Sequence, residues 1–186
     1  MGRRIVSSSD EFSELFTSFE HTAYRLESLQ RYTVPYEEEP LRRFLAGESH
    51  QVDPDKEWFK LIRDAVNAGK RMERVHVVVE PHSDYMRFEL TAYADSVVAG
   101  EDIRIIPIQP GEWPPDLPGH GYDYWLFDSR TLAVMHYDHE GRLVAVDLVD
   151  DPGQVVQANF WRDVAWHLAI PYREYKTDTS DVPATA

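Results

Sequence analysis

The chain's 8 histidines come first, because imidazole binds metals and moves protons near neutral pH. They are His21, His50, His76, His82, His120, His136, His139 and His167, and only His76/His82 and His136/His139 suggest pairs. Neither pair has the i, i+4 spacing that sets two imidazoles on one helix face in an HExxH site. With 0 Cys, no thiolate can complete a zinc set. His136 precedes a hairpin turn and His139 lies in it, where a solvated ring needs no ligand role. The expectation is no metal and no cofactor.

Carboxylates are many, including Glu37-Glu38-Glu39, Asp138/Glu140 and Asp150-Asp151. Two carboxyls divide acid and base roles only when their environments differ and substrate lies between them. Most of these fall in turns and read as solvated surface. Ser129 follows Asp128 at a strand junction, but GxSxG is absent and nothing local activates the hydroxyl. Gly119-x-Gly121 lacks the preceding strand and following helix of a nucleotide fingerprint. No catalytic residue is assigned.

A polar site has better candidates in Arg25, Glu27, Arg87, Glu89 and Asp128. Arg25/Glu27 and Arg87/Glu89 each set opposite charges in an apolar stretch, and buried charges need partners. Such a set reads either as an ion-pair network fixing the sheet to its helices or as the wall of a ligand pocket. Trp113, in Glu112-Trp113-Pro114-Pro115, is a candidate partner anchor if its proline-flanked loop exposes the indole, whereas Trp125 reads as core.

The elements that must position these residues follow from apolar periodicity. Ser8 and Glu11 make a capping box for a helix whose face is Phe12, Leu15, Phe16 and Phe19. Tyr24, Leu26 and Ser28 fit one side of a strand, although the helix could instead run on to Leu29. Leu41, Phe44 and Leu45 mark a short helix stopped at Gly47, and a polar loop follows to Asp53. Asp53-Pro54 and Asp151-Pro152 begin helices expected near 54–68 and 153–168. Tyr85, Phe88 and Ala92 line another before Gly100. Strands are expected over 75–79, 103–106, 124–127, 132–136 and 143–148, the last two joined by a turn at Asp138-His139-Glu140-Gly141. Residues 109–120, with their prolines and glycines, read as a surface loop. The result is an α/β fold, a mixed sheet with helices packed on it, in a single domain over 8–175, followed by a polar tail over 176–186.

Composition supports this: 186 residues, 42% hydrophobic, suffice for a core without disulfides or metal. No signal core follows Ser7 and no stretch reaches the roughly 20 apolar residues of a membrane span, so a cytoplasmic, non-membrane protein is expected. The net charge of −14 opposes direct nucleic-acid binding and favours basic partners.

Four phrases carry a resemblance: Phe19-Glu20-His21-Thr22-Ala23-Tyr24-Arg25-Leu26-Glu27, Arg43-Phe44-Leu45-Ala46-Gly47-Glu48, Ala99-Gly100-Glu101-Asp102-Ile103-Arg104 and Tyr124-Trp125-Leu126-Phe127-Asp128-Ser129. Over about residues 9 to 175 the chain resembles an actinobacterial family of uncharacterised proteins, often encoded beside helix-turn-helix regulators in Streptomyces and relatives. From Trp58 onward the element order also looks like one half of a phospholipase-D-like fold. That second resemblance implies a motif of His, Lys two residues on and Asp five beyond. With the Asp at Asp128, the His position holds Gly121 and the Lys position Asp123, so the catalytic motif is absent. Three functions stand open: a non-enzymatic interaction domain serving a helix-turn-helix regulator, a small-molecule sensor with a polar pocket, and an uncharacterised hydrolase. Oligomeric state cannot be read from the residues.

Overall fold

Alternating Val and Ile residues require a sheet, and the computed structural model, which describes residues 4–6, 10–49 and 53–175, builds one of eight strands. In chain order the elements are β1 (Arg4–Val6), α1 (Asp10–Ser18), β2 (Thr22–Glu27), a 3-10 turn (Pro35–Glu37), α2 (Glu38–Leu45), α3 (Glu57–Asn67), β3 (Arg71–Val79), α4 (Asp84–Ala99), β4 (Asp102–Ile108), β5 (Asp123–Phe127), β6 (Thr131–Tyr137), β7 (Leu143–Val149), α5 (Pro152–Leu168) and β8 (Ile170–Pro171). Spatial order is β1-β7-β6-β5-β2-β3-β4-β8. Strands β2, β3 and β4 are mutually parallel, and every other pairing is antiparallel, so the sheet is mixed as expected.

The period-2 pleat divides the sheet's side chains between two layers. Tyr24 and Leu26 join Val75, Val77, Tyr124 and Leu126 on the face covered by α5, whose Val155, Ala158 and Ala165 close that core. Ala23, Met72, Trp125, Phe127 and Met135 face the other way, against Phe19, Ile62 and Ala65. There Phe16 of α1 meets Trp125 edge-on at 4.8 Å and Phe127 at 5.1 Å. Helix α4 lays Met86, Leu90 and Tyr93 over Val78, Ile103 and Ile105. Each such large apolar side chain contributes about 1.5–3 kcal/mol when fully buried.

Local chemistry sets the helix ends. Ser83 accepts from the Met86 amide at 3.1 Å to open α4, and Gly100 closes it at φ 116°, where a side chain would also crowd Val66. Asp151 accepts from the Gln154 amide at 3.0 Å, with Pro152 in the first turn of α5. Asp53-Pro54 behaves differently from the expected cap. The Asp53 carboxylate bonds the Asp55 amide at 3.0 Å and its carbonyl accepts from Lys56, forming a turn that delays α3 to Glu57. Residues 22–27 are strand rather than helix, with all six side chains buried. The Ser8 cap, part of the loop before Asp53 and the tail from Lys176 lie outside the described residues.

Candidate functional site

On β2 the residues alternate between the two layers, so Arg25 and Glu27 share the layer opposite Tyr24 and Leu26. Parallel pairing with β3 sets Arg25 beside Arg74 and Glu27 beside His76, a block of four ionisable side chains near the middle of the sheet. Asp123 joins from β5, Tyr137 from β6, Tyr93 and Glu89 from α4, and Tyr32 from the segment after β2. That segment is pinned in place. The Gln30 side-chain amide bonds the Val77 carbonyl and the Val79 amide, both at 2.8 Å. Gly141 at φ 79° lets the β6–β7 turn lie so close that a Cβ would stand 2.6 Å from the Arg31 carbonyl oxygen.

The hydrogen bonds form one network. Glu27 takes Arg25 Nε at 3.2 Å on Oε1, and Arg74 Nη1 at 2.7 Å and the Tyr93 hydroxyl at 2.8 Å on Oε2. Arg74 Nε also donates to buried Glu101 at 2.9 Å, and Arg25 Nη2 to the Tyr137 hydroxyl at 2.7 Å. His76 Nε2 donates to the Leu29 carbonyl at 2.9 Å, and its Nδ1 lies 2.7 Å from the Tyr93 hydroxyl. Asp123, 0% exposed, accepts from the Ser28 amide at 2.9 Å, the Ser28 hydroxyl at 2.5 Å and the Tyr32 hydroxyl at 2.5 Å. One donor is left over. Arg25 is 4% exposed, and its Nη1 is buried with no hydrogen-bond partner among the described residues. An unsatisfied buried donor costs about 1–3 kcal/mol, more when charged.

Burial opposes every charge here, and the partners decide which survive. Desolvation would raise the Glu27 carboxyl, but Arg74, Arg25 and His76 together hold it below the usual carboxylate range. Burial likewise works against the Arg25 guanidinium, and Tyr137, Glu27 and Asp123 outweigh it. Glu89 has no such rescue. Desolvation, then Glu27 and Glu37, push its carboxyl up to about 7. Glu37 is also raised, chiefly by burial, although the Tyr85 hydroxyl donates to it at 3.2 Å.

These groups wall a cavity of about 640 Å³. Arg25, Lys56, Arg74 and Arg142 contribute its positive charges and Glu27, Glu37, Glu38 and Glu89 its carboxyl groups, and Tyr32, Tyr36, Trp58, Phe59, Tyr85, Tyr93, Trp125 and Tyr137 its aromatic surface. At the same cavity the Lys56 ammonium lies 4.6 Å from the Tyr36 ring centroid and 5.8 Å from that of Phe59. A neighbouring cavity of about 960 Å³ adjoins it through Tyr32, Thr33, Val34, Glu37, Glu38, Tyr85, Gly141 and Arg142, and its remaining walls come from α2, the segment after β2 and the β6–β7 turn. We take the smaller one as the candidate site because the buried charges of Arg25, Glu27 and Arg74 line it. Among the described residues no group of three or more His, Asp or Glu could hold a metal ion.

Of the residues singled out from sequence, Arg25, Glu27 and Glu89 come together here. Arg87 does not. It is exposed on α4 and bonds Asp84 at 2.7 Å, because two residues on a helix turn the side chain to the opposite side. Asp128 also stands apart, accepting the amides of Glu20, His21 and Thr22 at 2.9, 2.7 and 3.0 Å. Trp113 folds back onto its own loop. Its Nε1 donates to the Pro118 carbonyl at 2.8 Å, its ring meets His120, and the indole packs on the α5-side core. Arg74, Tyr93, Tyr32 and Tyr137 were not singled out, and His76 and Asp123 were weighed only in a histidine pair and at a motif position. Arg74 and His76 interrupt a Val-rich strand at alternate positions, which was the available signal.

Residues 10–177 match the family described as "Domain of unknown function (DUF6879)". The chain belongs to that family. No curated protein matches it. Among solved structures it is similar to Nuc, a phospholipase D family member from Salmonella typhimurium, at 13% identity and TM-score 0.55, covering 95% of this chain and 99% of that one. It also matches phosphatidylserine synthase from Haemophilus influenzae at 14% identity and TM-score 0.45, covering 94% of this chain and 40% of that one. The first of these likenesses is one of fold, a remote relationship to one lobe of phospholipase-D-like structures. At the positions where that resemblance implies the motif, the Gly121 amide donates to the Ser28 hydroxyl at 2.9 Å and Asp123 is sealed by its three donors. Neither position offers a nucleophile or a cation for phosphate.

Proposed function

We propose that this DUF6879 domain binds a small molecule in the cavity over β2 and β3. The observation that carries the reading is an aromatic cavity of about 640 Å³ lined by the buried, ion-paired Arg25, Glu27 and Arg74. That volume lies within the usual range for ligand pockets, and a few polar groups among aromatic walls is their usual make-up. The hydrogen-bonded network behind the cavity preorganises these groups on sheet and helix rather than on loops.

The test is native mass spectrometry of the purified domain after incubation with a small-molecule extract of its host. Retention of a discrete mass by the wild type, lost in Ala92→Trp, supports the reading. Ala92 lines the cavity and makes no bond in the charge network, so its substitution fills space without removing charge. Absence of any retained mass overturns it.

Association with a helix-turn-helix regulator in the cytoplasm of an actinobacterium is the second reading. The charge of −14 supports it, as do Val156 and Phe160, exposed one turn apart on α5. No described helix is long and apolar enough to cross a membrane. Calorimetry with the purified regulator would give heat that falls as salt screens the charge, and no heat at any salt would remove this reading.

A further inference from the structure

Deepening the ligand-binding reading, on which this rests, we propose that the cavity takes an uncharged aromatic molecule whose ring carries hydroxyl or N–H donors. Eight of the side chains lining it are aromatic, so a flat ring can meet them edge-on or offset-stacked. The charges then narrow the class. Four cations and four carboxyl groups line the same cavity, and all four cations are engaged. Arg25 pairs with Glu27 at 3.2 Å and Asp123 at 3.6 Å, and Arg74 with Glu27 at 2.7 Å and Glu101 at 2.9 Å. Arg142, exposed, pairs with Glu140 and with Asp138, and exposed Lys56 lies over the Tyr36 and Phe59 rings.

With the two signs balanced, a charged ligand of either sign gives up its hydration for little net attraction. An anion has to break a resident pair or settle on Lys56 alone. A cation finds ring faces already in use, since Arg25 stands 5.5 Å from the Trp125 centroid and Arg74 5.3 Å from that of Tyr93. What the wall has to spare is acceptors. Glu27 is filled by Arg25, Arg74 and the Tyr93 hydroxyl. Glu37 and Glu89 are half-buried, and neither joins an ion pair among the described residues. Glu37 takes one hydroxyl, from Tyr85 at 3.2 Å, whereas a carboxylate offers about four lone-pair sites. A hydroxyl or N–H on the ring meets these acceptors without bringing a charge into the cavity.

Probes built on one ring system decide it. Calorimetry at pH 7.5 on the full chain would compare 2-naphthol with 2-methoxynaphthalene, which lacks the donor, and with decahydro-2-naphthol, which lacks the aromatic plane. 2-Naphthoate and 2-naphthylmethylamine supply the anion and the cation. 2-Naphthol should bind about tenfold more tightly than each of the other four, and Ala92→Trp should abolish its binding. At least one of Glu37→Leu and Glu89→Leu should weaken 2-naphthol about tenfold while leaving 2-methoxynaphthalene unchanged, which also shows that the variant is folded. Binding of any other probe as tight as that of 2-naphthol overturns the proposal. So does 2-naphthol binding that survives Ala92→Trp, or that is unchanged in both leucine variants. If none of the five probes binds while the wild type retains an extract mass, the uncharged aromatic class fails and the cavity reading stands. If no mass is retained either, the cavity reading itself has failed.

Discussion

Arg25 and Glu27 stand two residues apart on β2 and make a 3.2 Å Nε–Oε1 contact with both side chains almost wholly buried. Glu27 is the shared counter-charge, since its other oxygen takes Arg74 at 2.7 Å. Removing it leaves Arg74 with Glu101 alone and Arg25 with Asp123 at 3.6 Å as its nearest carboxylate. Glu27→Ala should cost roughly 3–5 kcal/mol, the usual range for breaking a buried pair, read as a lowered urea midpoint with an unchanged slope. Glu27→Gln keeps an acceptor and should cost less. Equal stability of wild type and Glu27→Ala would show that the network is not what holds α4 to the sheet.

Glu89 makes stability depend on pH in the opposite sense to most carboxylates. Its folded carboxyl is raised to about 7 by burial and by Glu27 and Glu37, against the partial relief of His76 and Arg74. The folded state therefore holds the proton more tightly than the unfolded chain. Stability from this group is complete below the unfolded value near 4.3 and is lost as pH rises through about 7. In Glu89→Gln the loss should disappear, so the variant should be more stable than wild type at pH 8, by on the order of 2 kcal/mol. Parallel stability–pH curves for the two proteins would contradict this.

Asp128 works as a clamp on the chain entering β2. Burial opposes its charge, but the amides of Glu20, Thr22 and His21 outweigh that and hold the carboxyl below the usual range. Asp128→Ala should lose about 1–3 kcal/mol at neutral pH, and the difference from wild type should shrink as pH falls below about 4. Hydrogen exchange should show the three amides as the newly exposed groups.

Trp113→Ala should lower the thermal midpoint. The half-buried indole loses its bond to Pro118 and its packing under the loop, worth about 1–3 kcal/mol together. An unchanged midpoint would mean the indole is dispensable to the fold.

Phosphodiester turnover is not expected. The purified domain should leave bis(p-nitrophenyl) phosphate and single-stranded DNA intact, because Gly121 has no nucleophile and Asp123 is a buried acceptor. Activity that survives purification and vanishes in Asp128→Ala would reverse this.

The sheet was legible because Val75, Val77 and the Ile residues near 103–106 mark strands independently of their neighbours. Strand β8 was not, since Ile170–Pro171 is too short for any periodicity and exists through pairing with β4. The site was half legible for a geometric reason. Arg25/Glu27 and Arg87/Glu89 have identical spacing, but on a strand that spacing keeps two side chains together and on a helix it separates them. Placing 85–92 on a helix already implied that Arg87 and Glu89 would part. Arg74 and His76 depended on register, which pairs them with Arg25 and Glu27 and which no local pattern in β2 or β3 specifies. The inward turn of Trp113 was not legible because its loop supplies its own carbonyl partner.

The position of β2 between parallel β3 and antiparallel β5 has a consequence for how the chain folds. Its partner β5 arrives late in sequence: 95 residues separate Ser28 from the Asp123 that seals the polar cluster. Pairing at such separation must first overcome loop-closure entropy, which places it among the slower events of folding. Until β5 docks, Arg25 and Glu27 can remain hydrated. Their desolvation then falls in the same step that excludes water from the sheet centre, so a costly dehydration coincides with a long-range strand pairing.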